Sequence, residues 1–156
     1  MHDFAPPHDA IRVQDAIDIS VPPGRVAALY CEVEKWGSTF PATIERAEAT
    51  ETGSNWKHIL VTHRMEGRVP NTLTFLSDTE IGLEESKKRF DARFLNQFNP
   101  GSNGGTHYVI TAYISLKGIY KALRPFIKGF VRWRAHNQMK RYVLDPLKTA
   151  AEKEYL

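Results

Sequence analysis

His63 stands in the run Ile59-Leu-Val-Thr-His63-Arg-Met65, whose alternation places Ile59, Val61, His63 and Met65 on one face of a strand. An imidazole set into an apolar wall can orient a carbonyl or hydroxyl. It can also serve as a general base where its pKa lies near neutral. Asp15, Ser77 and Asn96 are the other polar residues that fall in phase with apolar faces. An inward Asp15 would fix the tautomer of His63 or mark a bulge that returns its carboxylate to water. Two readings stay open for this group: a hydrogen-bonded core histidine beside a bulge, or contact with a ligand.

Other chemistries lack their residues. The histidines (2, 8, 58, 63, 107 and 136) show no HxH or HxxxH spacing, and Cys31 is the only cysteine, so neither a metal site nor an internal disulfide is expected. No GxSxG, GxxxxGK or GxGxxG occurs, and no cofactor is expected.

The stretch from Lys117 to Tyr142 interleaves Tyr120, Phe126, Phe130, Trp133 and Tyr142 with eight lysines and arginines and contains no acid. Such a helix can lie on an anionic membrane, with Lys128, Arg132 and Arg134 as the contacting cations. Single-stranded nucleic acid would use the same residue types, and is the weaker reading. A packed helix is the plainer expectation: its rings, Phe130 among them, face the core and its cations alone face water.

The elements that must position these residues follow from periodicity and turn chemistry. Residues 1–9 carry two prolines and no period and read as a flexible leader to a single domain over 10–156. Alternation marks strands over 11–20, 43–52, 56–66, 69–77, 80–86, 88–99 and 106–117. The run Asn99-Pro-Gly-Ser-Asn-Gly-Gly105 is the clearest hairpin turn, and the division between 69 and 90 is the least defined. Val26, Leu29, Tyr30 and Val33 recur at helical spacing, and Trp36 to Pro41 forms a second short helix or turn. Residues 122–144 form one long helix, with Pro146 kinking it or dividing it from a terminal segment.

On the strands, the inward phase collects Val61, Leu73, Phe75, Ile81, Leu83, Phe90, Phe94, Phe98, Tyr108, Ile110, Ala112, Ile114 and Leu116, a wide aromatic wall. At 156 residues, 42% hydrophobic and 25% charged, the chain can hold one core without covalent staples. No membrane-spanning run or secretory leader is visible, so the default is a soluble cytoplasmic protein, peripheral to a membrane at most. The net charge of +3 conceals +7 from Lys117 onward and −4 before it, which points to an anionic partner or to a solvated helix face.

Four local features resemble the START-related, SRPBCC or helix-grip superfamily, which includes lipid-transfer domains and polyketide aromatase/cyclases. They are Ile17-Asp-Ile-Ser-Val-Pro-Pro-Gly-Arg-Val26, Trp36 with Phe40-Pro41, Gly104-Gly105-Thr106, and Leu147-Lys148 with Ala150-Ala151-Glu152. The resemblance covers roughly residues 10–153. It implies an α+β helix-grip fold: a curved seven-stranded antiparallel sheet around a long C-terminal helix, with two short helices after the first strand. It also implies an apolar cavity between sheet and helix, because a bent sheet and a straight helix cannot interdigitate throughout.

The expected lining is Asp15, Trp36, Phe40, Val61, His63, Phe75, Ser77, Phe90, Phe94, Asn96, Ile110 and Phe130. The implied function is binding, and by extension transport, of a hydrophobic or amphipathic small molecule such as a lipid, isoprenoid, quinone or polyketide. An alternative is a polyketide aromatase/cyclase, with His63, Arg64 or Tyr113 moving protons. Cyclases often carry Ser-x-Arg on a central strand. Thr62 and Arg64 have that spacing, but their phase is the outer one. A third reading is a membrane-surface or acidic-partner interaction module built on the basic helix.

Overall fold

The computed structural model describes residues 4–156. Seven strands form one antiparallel sheet: β1 (Ile11–Ile19), β2 (Ile44–Thr52), β3 (Trp56–His63), β4 (Gly67–Phe75), β5 (Glu80–Ser86), β6 (Phe90–Pro100) and β7 (Thr106–Leu116). Their order is β1-β7-β6-β5-β4-β3-β2, so every neighbour except β1–β7 is a hairpin partner. Two short helices, α1 (Pro23–Cys31) and α2 (Trp36–Thr39), follow β1, and α3 (Ile119–Ala122), α4 (Arg124–Met139) and α5 (Asp145–Tyr155) follow β7. The sheet curves, and the core lies between its concave face and the helices.

Register explains which side chains meet there. Cross-strand partners share a face, so Ile59↔Asn71↔Glu85↔Ala92↔Ile114↔Ile11 forms one inward row. The next inward row is Leu73↔Leu83↔Phe94↔Ala112↔Val13. Phe98 and Tyr108, stacked at 4.9 Å, close one end. On the outer face the ring of Phe4 lies against Gly82, and the Arg93 guanidinium donates to the Ala5 carbonyl.

Two boundaries near the site differ from the sequence expectation. Strand β3 ends at His63, not 66, because the turn to β4 needs the left-handed backbone of Gly67 (φ 78°). Met65 is therefore at the turn tip and 94% exposed, instead of facing inward. Strand β4 stops at Phe75, so Ser77 sits in the next turn, exposed, its hydroxyl accepting from the Thr79 N–H. The hairpin turn before β7 lies where expected, with Asn103 (φ 55°) and Gly104 (φ 76°) in the left-handed region.

The long helix is interrupted once. Between α4 and α5 lies a π-turn, Lys140–Leu144, in which the Asp145 N–H bonds the Lys140 carbonyl. Pro146 supplies the cause: it has no N–H, and its ring would crowd the Tyr142 carbonyl in a regular helix. The widened turn relieves that clash and directs Tyr142 and Val143 toward the sheet. The helix α4 packs mainly on β1, with Val131, Ala135 and Met139 against the core.

That packing overturns the expectation that the rings of this segment are buried. Phe126 is 84%, Phe130 59% and Trp133 62% exposed. Burial runs out toward the start of α4, because only its C-terminal half reaches the core.

Candidate functional site

A cavity of about 150 Å³ opens between the concave sheet, the short helices and the π-turn. Its apolar wall comes from Tyr30 of α1, Trp36 and Phe40 around α2, Ile44, Val61, Leu83, Phe94 and Ile110 of the strands, and Val143. Trp36 is held by its indole N–H, which donates 2.8 Å to the Tyr30 carbonyl, and its ring packs 6.0 Å edge-on to Phe40. The wall is thus a set of interlocked rings.

One side is polar. His63, Asn71 and Glu85 line it together with Thr43 and Tyr142. The Nε2 of His63 is buried without a hydrogen-bond partner among the described residues. Burial lowers the His63 pKa, and the Lys87 ammonium lowers it further. The imidazole therefore favours its neutral form. Burial raises the Glu85 carboxyl, partly offset by Lys87 at 3.6 Å; Lys87 in turn bonds Glu66 at 2.8 Å. A buried nitrogen without a partner beside a buried carboxyl suits one polar atom on an otherwise apolar guest.

Beneath the cavity, Asn96 is fully buried and joins three elements. Its Nδ2 donates to the Tyr30 hydroxyl and to the Ile81 carbonyl, each at 3.1 Å, and its Oδ1 accepts from the Tyr108 hydroxyl. Burial keeps both phenols protonated, raising Tyr30 and Tyr108 well above their usual value.

The expected site residues thus separate into groups. Trp36, Phe40, Val61, His63, Phe94 and Ile110 line the cavity together. Asn96 supports it from below. Asp15 does not meet His63: four strands lie between β1 and β3. Its carboxylate instead caps the Ala16 N–H and lies 3.6 Å from the His136 Nε2 on α4. Phe75 and Ser77 line a shallow surface depression beside Cys31: Phe75 ends β4 in the inward register opposite Ile81, beyond the cavity, and the early turn carries Ser77 to the surface. Burial pushes the Cys31 thiol up to about 11, so it stays unreactive at neutral pH.

Phe90 lies under the Lys87 ammonium, 5.5 Å from its ring centroid, outside the lining. Phe130 points outward on α4. Of the other proton-transfer candidates, Arg64 is exposed and donates 2.7 Å to the Pro41 carbonyl, and Tyr113 lies on the outer face opposite Arg12 and Arg93. Neither lines the cavity. Asn71 and Glu85 do, and sequence reading passed over both; their phase with Leu73 and Leu83 is the signal that marks them.

The opposed shifts give a pH signature. Below the ordinary histidine value of 6.5 the unfolded chain takes up a proton that His63 resists in the fold, so stability falls as pH drops through that region. Glu85 acts oppositely: stability rises as pH falls from its raised folded value to the ordinary 4.5. Urea midpoints followed between pH 8 and 4 should lose the first trend in His63→Gln and the second in Glu85→Gln. Unchanged profiles in both would remove the assigned burial of these groups.

No protein-family model matches the chain, and no curated protein matches it. Solved structures do. A START superfamily protein from Mycobacterium smegmatis superposes with a TM-score of 0.73 at 9% identity, over 91% of this chain and 97% of that one. The Zhui aromatase/cyclase from Streptomyces sp. R1128 gives 0.72 at 14% identity, over 94% and 96%. TTHA0849 from Thermus thermophilus gives 0.69 at 16%, over 93% and 99%. At such identities the likeness speaks for architecture, and it spans nearly the whole of each chain. With its curved antiparallel sheet, paired short helices and C-terminal helix, this chain has the START-related helix-grip fold.

Proposed function

We propose that the protein binds a small hydrophobic or amphipathic molecule in the sheet–helix cavity, by burying an apolar ring or chain end against the aromatic wall. The observation that carries this reading is the cavity itself, apolar on most sides with His63, Asn71 and Glu85 on one. Its volume of about 150 Å³ suits one six-membered ring. A lipid, quinone or polyketide would place one ring or end there and extend through the mouth beside the π-turn. Transport would require that mouth to open around Trp36 and Phe40. The aromatase/cyclase alternative keeps His63 as its proton acceptor, favoured by the partnerless Nε2, and loses Arg64 and Tyr113.

Thermal unfolding with toluene and with p-cresol tests the binding reading. A ligand at 100 times its Kd stabilises by about 2.7 kcal/mol, a rise of several degrees for a chain of this length. p-Cresol should exceed toluene, through a hydrogen bond between its hydroxyl and His63, and His63→Leu should abolish the difference. No rise with either compound would remove the proposal.

A further inference from the structure

Helix α4 presents its surfaces in an unusual order. Phe126, Phe130 and Trp133 on α4 recur at steps of four and three residues, which places them within an arc of about 60° at 3.6 residues per turn. Ile119 and Leu123 precede them at steps of four and three across the break between α3 and α4. All five are exposed. Arg124, Lys128, Val131, Ala135 and Met139 follow at similar steps on the opposite side, where the last three meet the core, Lys128 is half-buried and the Arg124 Nε is buried. Over its first turns the helix therefore turns cations toward the protein and rings toward solvent. An outward stripe of this kind exceeds scattered surface apolar residues and marks a contact surface.

Charge selects the partner. Between Lys117 and Leu144 there are eight lysines and arginines and no acid. Among the described residues, only Lys117, His136 and Lys140 of this stretch meet a carboxylate, from Asp91, Asp15 and Asp145. A second copy docked on the same stripe would bring two sets of uncompensated cations together. The stripe is also shorter than the roughly 20–30 residues a side of a stable protein interface. An anionic bilayer answers both features: rings enter the headgroup boundary, and cations flanking or behind them stay within about one Debye length, roughly 8–10 Å, of the lipid charge.

We propose that the outward stripe of α3 and α4, centred on Phe126, Phe130 and Trp133, is a docking surface for an anionic lipid membrane. Trp133 sits at the lipid–water boundary, with Arg134 and Arg141, which line one surface groove with it, reaching to headgroups. The surface is separate from the cavity lining, so the proposal stands whether or not the cavity binds a ligand.

Sedimentation of the full chain with vesicles of 30% phosphatidylserine in phosphatidylcholine, and with phosphatidylcholine alone, provides the test. Partitioning should be at least tenfold stronger to the anionic vesicles and weaken as salt rises. F126A/F130A should reduce it at least tenfold with an unchanged circular dichroism spectrum. Quenching of tryptophan emission by brominated acyl chains should be lost in W133F. Absence of partitioning at low salt, or partitioning unaffected by F126A/F130A, would overturn the proposal. So would light scattering that showed a dimer dissociated by F126A/F130A, since the stripe would then be a contact between copies. If F126A/F130A misfolds, loss of bromolipid quenching in W133F alone decides.

Discussion

Replacing Asn96 with leucine is expected to destabilise the fold by at least about 2 kcal/mol. The substitution strands the Tyr30 and Tyr108 hydroxyls in the fully buried interior and takes one donor from the Ile81 carbonyl, and each stranded hydroxyl costs about 1–3 kcal/mol. Asn96→Leu combined with Tyr108→Phe removes one of these groups together with its partner. The pair should therefore be less destabilised than the sum of the two single variants. Urea unfolding of the four proteins measures this. A loss below about 1 kcal/mol for Asn96→Leu would mean that the buried network does not anchor α1 to the sheet.

The second large effect is on ligand binding. Val61 and Val143 face one another's side of the cavity from β3 and the π-turn. Val61→Phe with Val143→Phe enlarges both side chains into the ring-sized space and occupies it. Burying a ligand ring of roughly 150 Å² is worth roughly 4 kcal/mol at about 25 cal/mol per Å², so affinity for p-cresol should fall by a few hundred-fold. Stability should change far less, because the new rings fill existing space. Calorimetric titration measures the affinity. Unchanged affinity would place the ligand elsewhere.

Much of the architecture can be read from local pattern. Alternation located all seven strands, since each has one buried and one solvated face, and the Asn-Gly-Gly chemistry before β7 marked its turn. Trp36 and Phe40 stood out as large anchors within a Pro/Gly-flanked segment. What the pattern could not supply came from pairing and from packing. The end of β4 is set by where Glu80 accepts the Leu76 and Ser77 N–H groups, a partnership with no signature in residues 69–77. Ser77 leaves the inward phase for that reason, whereas Phe75 keeps it and packs against the core beyond the cavity.

Asn71 and Glu85 were missed for another reason. Both fall in phase with inward residues, but charge and amide polarity usually mean solvent, and only the facing His63 and Lys87 make their burial intelligible. The rings of α4 face outward, against the expectation of a packed helix, because an apolar side chain is buried only where something covers it. How far a helix extends over a sheet depends on the Pro146 π-turn and on Val131 and Ala135, not on the stripe itself.

The central claim is that the concave face of the sheet holds a ring-sized apolar guest beside His63 and Glu85. Titration of the full chain with p-cresol, followed by methyl and imidazole NMR shifts, tests it most directly. The account predicts saturable shifts concentrated at Val61, Leu83, Ile110, Val143 and the His63 ring, and absent from the outer face. Saturation without any change at these residues, or shifts confined to the depression around Phe75 and Ser77, would contradict it.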